Sequence, residues 1–199
     1  IMPIDSTCFK FVDSESMYLR YSLGGVFYNT NNYANLNSNS DKWQQIRGQF
    51  SQLQLMPWRT TGSHILLCLQ RDGGWSMKGS DLTQWAYNTI KTIRQFTNRS
   101  IVIRPHPRSK SDVSSLIKFP GVSVSTTGTT LQQDLQNAWA SIFYNSSSSV
   151  ASVLAGVPVF VHDLDCVAWE IANRNLSQIE TPIMPPREQW LYDLSSAHW

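Results

Sequence analysis

From Ser63 onward, short apolar runs alternate with amphipathic helical stretches, and that alternation restricts the chain to one class of fold. Ile65-Leu66-Leu67-Cys68-Leu69 is an apolar run bounded by polar residues, the pattern of a strand buried on both faces. Asp81 precedes the next segment with Gln84 three residues on, the spacing of a capping box. Behind it Leu82, Trp85, Ala86, Thr89, Ile90, Ile93 and Phe96 recur at helical intervals and define one apolar face. Ile101-Val102-Ile103 predicts a second strand, stopped by Pro105 and Pro107. A short helix over 113–118 and a strand at 122–124 follow. Leu131, Leu135, Ala138 and Trp139 mark another helix, and 141–144 another strand. Val150, Val153 and Leu154 predict a helix stopped by Gly156, then a fifth strand at 157–161 and helices over 167–173 and 187–199. Strands separated by helices predict a parallel sheet with right-handed crossovers, a Rossmann-like α/β domain.

Before residue 62 the periodicity is weak, and Asn29–Asp41 is a polar tract that predicts a long loop. The expected division is therefore a short N-terminal segment, 1–60, and a Rossmann-like domain, 61–199. Eight Trp, eight Phe and seven Tyr exclude disorder as the main state. No run approaches the ~20 apolar residues of a membrane span. The first residues lack the basic and apolar regions of a secretory leader, so a cytoplasmic protein is expected. The chain does not begin at Met, and its last helical pattern is still running at Trp199, which together predict a piece of a longer chain.

Charge is uneven. Residues 1–129 hold fourteen Lys and Arg against seven Asp and Glu, and residues 130–199 two against seven. A basic front with an acidic back suits a phosphate-bearing ligand, whereas a net charge of +2 is small for a protein that coats DNA. Cys8, Cys68 and Cys166 are too few and too far apart for a disulfide framework or a zinc site, which fits a reducing compartment. Glycosylation triplets occur at Asn98, Asn145 and Asn175, but Asn145 closes an apolar strand, a poor place for a glycan.

The sequence has no GxGxxG, Walker loop, HExxH or GxSxG, so ordinary dehydrogenases, P-loop enzymes and zinc hydrolases are disfavoured. The candidates are loops at the carboxyl ends of the predicted strands, where open α/β sheets bind ligands. In Gln70-Arg71-Asp72-Gly73-Gly74-Trp75-Ser76, two glycines let the backbone approach a ligand, Arg71 can pair with phosphate, and Trp75 can stack on a base. In Arg104-Pro105-His106-Pro107-Arg108, two prolines hold Arg104 and His106 at the strand end, a pairing suited to a phosphate. Asn145-Ser146-Ser147-Ser148-Ser149 offers hydroxyls and backbone N–H groups ahead of a helix. Ser125–Thr130 is a weaker candidate for a base or ribose, and His162, Asp163 and Asp165 lack the spacing of a metal site. Glu170 could reach a sugar hydroxyl but is expected as an exposed helix residue, and Trp85 is core by its helical position.

Two stretches carry a family resemblance: Ile-Arg-Pro-His-Pro at 103–107, and Ser-Ile-Phe-Tyr-Asn-Ser-Ser at 141–147 followed by Ala151-Ser-Val-Leu-Ala-Gly-Val-Pro-Val159. Over roughly Ser63–Asp165 the chain resembles the nucleotide-sugar-binding half of GT-B-type glycosyltransferases. Capsule-sugar and glycerophosphate transferases have a similar Arg-x-His-Pro and Ser-rich turn. The stretches at 69–79 and 187–194 resemble poorly characterised phage and marine-virus proteins treated as glycosyltransferases.

The resemblance implies transfer of a sugar from a nucleotide-sugar donor to a hydroxyl, with no tightly bound cofactor and no metal. A hydroxymethylated pyrimidine of phage DNA is one implied acceptor, and a glycan or polyol phosphate another. Arg71, Arg104, His106, Ser146 and Ser147 would hold the donor diphosphate, with Asn145 and Trp75 also binding the donor and Gly73 and Gly74 lining the cleft. For the base that accepts the acceptor's proton, Asp13, Asp72 and His106 are candidates, Asp72 first because it follows a strand end. Leu23-Gly24-Gly25-Val26 is either a second approach to the donor or a turn. The chain lacks the Glu-x7-Glu pair of many retaining members, and residues 1–60 would be a reduced acceptor-side segment. The competing reading is a Rossmann-like module that binds a nucleotide or nucleic acid without turnover.

Overall fold

The computed structural model describes residues 2, 4–12, 17–25, 27, 29, 36–109 and 111–199, with Trp75 described for its backbone alone. Asp13 and Val26 lie outside the described residues. Five parallel strands form the central sheet: β3 (His64–Cys68), β4 (Ser100–Arg104), β5 (Val122–Val124), β6 (Ala138–Phe143) and β7 (Val159–Val161), in the order β5-β4-β3-β6-β7. Alternate side chains of these strands feed two cores. One face of the sheet packs against α2 (Leu82–Ile93) and the turn at Leu116–Lys118. The other packs against α3 (Leu131–Leu135), α4 (Ser149–Leu154) and α5 (Glu188–Ser196). This is an α/β, Rossmann-like fold.

Helix α2 follows its stripe: Leu82, Trp85, Ala86, Thr89, Ile90 and Ile93 are all buried. Asp81 caps it by accepting from the Gln84 N–H at 2.9 Å. The box is only half made, because the Gln84 amide turns to Asn88 instead. Phe96 lies beyond the helix end and is exposed.

Two readings of the sequence are corrected. Ala138 and Trp139 continue the helical spacing of Leu131 and Leu135 but belong to β6. Asn137, at φ 60°, reverses the chain between the two elements. The Trp139 indole then donates to the Ile179 carbonyl at 2.6 Å and carries the Arg99 guanidinium on its ring. The expected helix over 167–173 is a series of tight turns. Cys166, Val167, Ala168, Ile171 and Ala172 are buried, and Glu170 is the one fully exposed residue among 167–173. Asn173 ends the segment by bridging to β7 and holding both N–H and C=O of the neighbouring chain.

The N-terminal segment supplies a hairpin of β1 (Ile4–Ser6) and β2 (Leu19–Tyr21), and α1 (Asp41–Gln49). Cys8, Phe9, Tyr18, Trp43, Ile46 and Leu53 share one core with α4 and α5. The chain end closes on β2, with Leu19 and Trp199 exchanging backbone hydrogen bonds of 3.0 Å.

His198 locks that closure. It is fully buried, its Nδ1–H donates to the Leu194 carbonyl at 2.8 Å, and Nε2 accepts from the Cys8 N–H at 3.1 Å. Burial, with Arg20 and Lys42 adding to it, lowers its pKa to about 4. The unfolded chain therefore takes up this proton first. The stabilisation is complete above the unfolded pKa near 6.5 and lost as pH falls towards about 4. At about 1.4 kcal/mol per pH unit, the expected loss reaches roughly 3 kcal/mol. Denaturant titrations at pH 7, 6, 5 and 4.5 should show that slope, and His198→Gln should remove most of it. His106, also below its ordinary value, accounts for a residual slope of the same sign.

Candidate functional site

Because the strands are parallel, the loops after β3, β4, β5, β6 and β7 emerge at one edge of the sheet. Strands β3 and β6 are neighbours though far apart in sequence, and the chain leaves them in opposite directions. A crevice opens at such a switch point, between the loops that follow residues 68 and 143.

Those two loops are tied together by buried amides. Gln70 accepts from the Asn145 N–H at 2.7 Å and donates to Ser76 Oγ at 2.8 Å. Asn145 Nδ2 donates to the Ser76 carbonyl at 2.9 Å. Asn145 thus sets the shape of the glycine loop, and its Oδ1 is buried without a partner among the described residues. Gly73 takes φ 64° with open space where a side chain would stand. Arg71 and Asp72 are exposed on this turn, and Gly74 closes it through its N–H to the Arg71 carbonyl.

His106 is half-buried after β4. Its Nδ1 accepts from the Arg108 N–H at 3.1 Å, which leaves the ring proton on Nε2. Burial lowers its pKa, and the charges of Arg108 and Arg71 lower it further. The ring is therefore neutral near pH 7, with one N–H to offer and two guanidinium groups beside it. Arg71 and Arg108 have no carboxylate partner among the described residues. Sequence reasoning had not chosen Arg108, although its place just beyond the second proline was the available signal.

Arg104 is committed elsewhere. It pairs with Asp134, which also accepts from Ser125 Oγ at 2.7 Å and Thr129 Oγ1 at 3.2 Å, and it donates to the Thr129 carbonyl. Arg104 thereby fastens the loop after β5 to α3. The serine turn is also partly spent. The N–H groups of Ser149, Val150 and Ala151 bond the carbonyls of Ser146, Ser147 and Ser148, and the Ser148 N–H bonds Ser146 Oγ. What the turn presents is the exposed Ser147 and the half-buried Ser146, not a row of free amides.

Past the crevice, Lys78 adopts φ 51° and pairs with both Asp163 and Asp165, a cation that sequence reasoning missed for this acidic pair. His162 and Glu170 are exposed. Burial pushes the Cys68 thiol up to about 12 and the Cys166 thiol up to about 11, so neither is a nucleophile at neutral pH. Among the described residues no three His, Cys, Asp or Glu side chains group as metal ligands, and no helix is long and apolar enough to cross a membrane.

An open α/β sheet with ligand-competent loops at its carboxyl edge defines the class. Solved structures share this fold. Thermosulfurimonas dismutans KpsC, beta Kdo 2,7 transferase, superposes with a TM-score of 0.64 at 17% identity, over 98% of this chain and 68% of that one. KpsC, beta Kdo 2,4 transferase, of the same organism superposes at 0.50 and 12% identity, over 90% of this chain and 65% of that one. No family model and no curated protein matches the sequence.

Proposed function

We propose that this chain carries the donor-binding half of a glycosyltransferase, which moves a sugar from a nucleotide donor to a hydroxyl. One observation carries the reading: the loops after β3 and β4 bring the charges of Arg71 and Arg108 near enough to act on the neutral, N–H-donating His106, at the carboxyl edge of a fold shared with Kdo transferases. In the proposed step the acceptor oxygen attacks the anomeric carbon and its proton passes to the Asp72 carboxylate. The bond to the donor phosphate breaks with its electron pair on the phosphate oxygen. Arg71 and His106 Nε2–H stabilise that charge. Gly73 and Gly74 admit the donor, Ser146 and Ser147 contact it, and Asn145 positions the glycine loop. Trp75 stacks on the base. Residues 1–60 would serve the acceptor side. The site shows nothing that favours a DNA pyrimidine over a glycan or polyol phosphate as acceptor.

The test is thermal stability against nucleoside mono- and diphosphates and their sugars. A donor at ~100 times its Kd should add about 2.7 kcal/mol. Arg71→Ala, an exposed position, should leave the ligand-free Tm unchanged and weaken the nucleotide about 10- to 100-fold, the weight of one charge-assisted contact. If no nucleotide stabilises the wild type, the reading fails. Binding with no sugar transfer or donor hydrolysis would leave the non-catalytic module in its place.

A further inference from the structure

Most guanidinium groups among the described residues are spent on the fold. Arg94 donates to backbone carbonyls, Arg99 pairs with Glu180, Arg104 pairs with Asp134, and Arg187 lies on the Trp58 ring. Arg71 and Arg108 are different. Both are exposed, and neither side chain makes a hydrogen bond, an ion pair or a ring contact among the described residues.

The loops after β3 and β4 nevertheless set both charges where they act on one imidazole, that of His106. The corner after β4 is rigid. Pro105 and Pro107 fix its backbone, His106 Nδ1 accepts from the Arg108 N–H at 3.1 Å, and the His106 carbonyl accepts from the Ser109 N–H at 2.9 Å. Like charges gathered with no carboxylate to pair them add repulsion to the fold, and one sign of charge concentrated at a strand edge attracts anions.

The transfer step gives Arg71 and the His106 Nε2–H to the departing phosphate and leaves Arg108 without a task. A phosphate esterified on both sides carries a single negative charge, which one guanidinium balances. Arg108 is a surplus cation two residues beyond the imidazole that meets that phosphate. A ligand that uses it needs a second negative charge.

We propose that Arg108 is a specificity-determining residue, which selects donors that carry a second anionic group beside the departing phosphate. A second phosphate and a carboxylate on the transferred sugar both present the pair of oxygens that a guanidinium grips as a fork. The inference rests on the donor reading above and goes beyond it by stating which donors are refused: those with one phosphate and a neutral sugar.

Calorimetric titration of the full chain separates the two sources of the second anion. Each common nucleoside diphosphate is compared with its monophosphate, and cytidine monophosphate N-acetylneuraminate with the methyl ester of cytidine monophosphate. In at least one of these pairs the ligand with the extra anionic group should bind about tenfold tighter, the weight of one charge-assisted contact. A preference confined to the diphosphates makes the second anion a phosphate, and one confined to the neuraminate makes it a carboxylate. Arg108→Gln should bring the ratio close to one through loss on the more highly charged ligand, with the ligand-free Tm unchanged. Arg108→Lys should restore part of the preference. A ratio near one in the wild type, or a ratio that survives Arg108→Gln, would overturn the assignment and leave the donor reading standing. If none of these nucleotides binds, the donor reading falls first and the assignment with it.

Discussion

Arg104→Ala should cost about 2–3 kcal/mol of stability, somewhat below the 3–5 typical of breaking a buried ion pair. Arg104 and Asp134 keep 18% and 9% of their side-chain surface exposed, so solvent screens part of the interaction. What remains is Asp134, mostly buried and still held by Ser125 and Thr129, but without its cation. In a chain of this length the loss is roughly a 5–10 °C fall in Tm. Asp134→Ala should destabilise too, and the double variant should lose less than the two single losses combined, since each single change strands the other partner. Additive losses would mean that the pair contributes no coupling. The consequence for function is practical. A variant at Arg104 reports first on the loop after β5, whereas Arg71→Ala reports on ligand alone.

That distinction was out of reach of the sequence. Arg71 and Arg104 both follow strand ends, and both looked equally able to meet a phosphate. The partner that neutralises one of them lies thirty residues further on in the first turn of α3, and only the fold brings it back. The glycine loop, the Pro-His-Pro corner and the serine turn were legible because parallel strands force their carboxyl ends to one edge. Their internal hydrogen bonds were not, because Gln70 and Asn145 meet across neighbouring strands that are distant in sequence. Periodicity succeeded where one face is wet, as in α2. It failed at 167–173, where apolar residues at helical spacing close into tight turns that leave Glu170 alone fully exposed. At Asn137 a single left-handed residue turned an apparent helix into a strand.

Gly156→Ala should cost about 2–5 kcal/mol. Gly156 closes α4 at φ 73°, its N–H bonding the Val153 carbonyl while the Val157 N–H reaches back to Ser152. This is the Schellman arrangement, in which a side chain at the left-handed position costs roughly 1–2 kcal/mol. Here strain is only half the effect. A Cβ on Gly156 would collide with the Pro57 carbonyl oxygen, and overpacking of this kind costs about 1–3 kcal/mol. The strap at 56–59 cannot easily give way. Met56 and Arg59 bond Leu154 and Gly156, Arg187 holds the Met56 carbonyl, and Trp58 donates to Pro185 with the Arg187 guanidinium on its ring. Gly128→Ala is the control. Gly128 has φ 90° but open space around it, so only the strain component should appear. Chemical denaturation of both variants separates the two contributions. Equal losses would show that the strap moves aside freely, and a larger loss at Gly156 would show that the N-terminal segment is locked to α4.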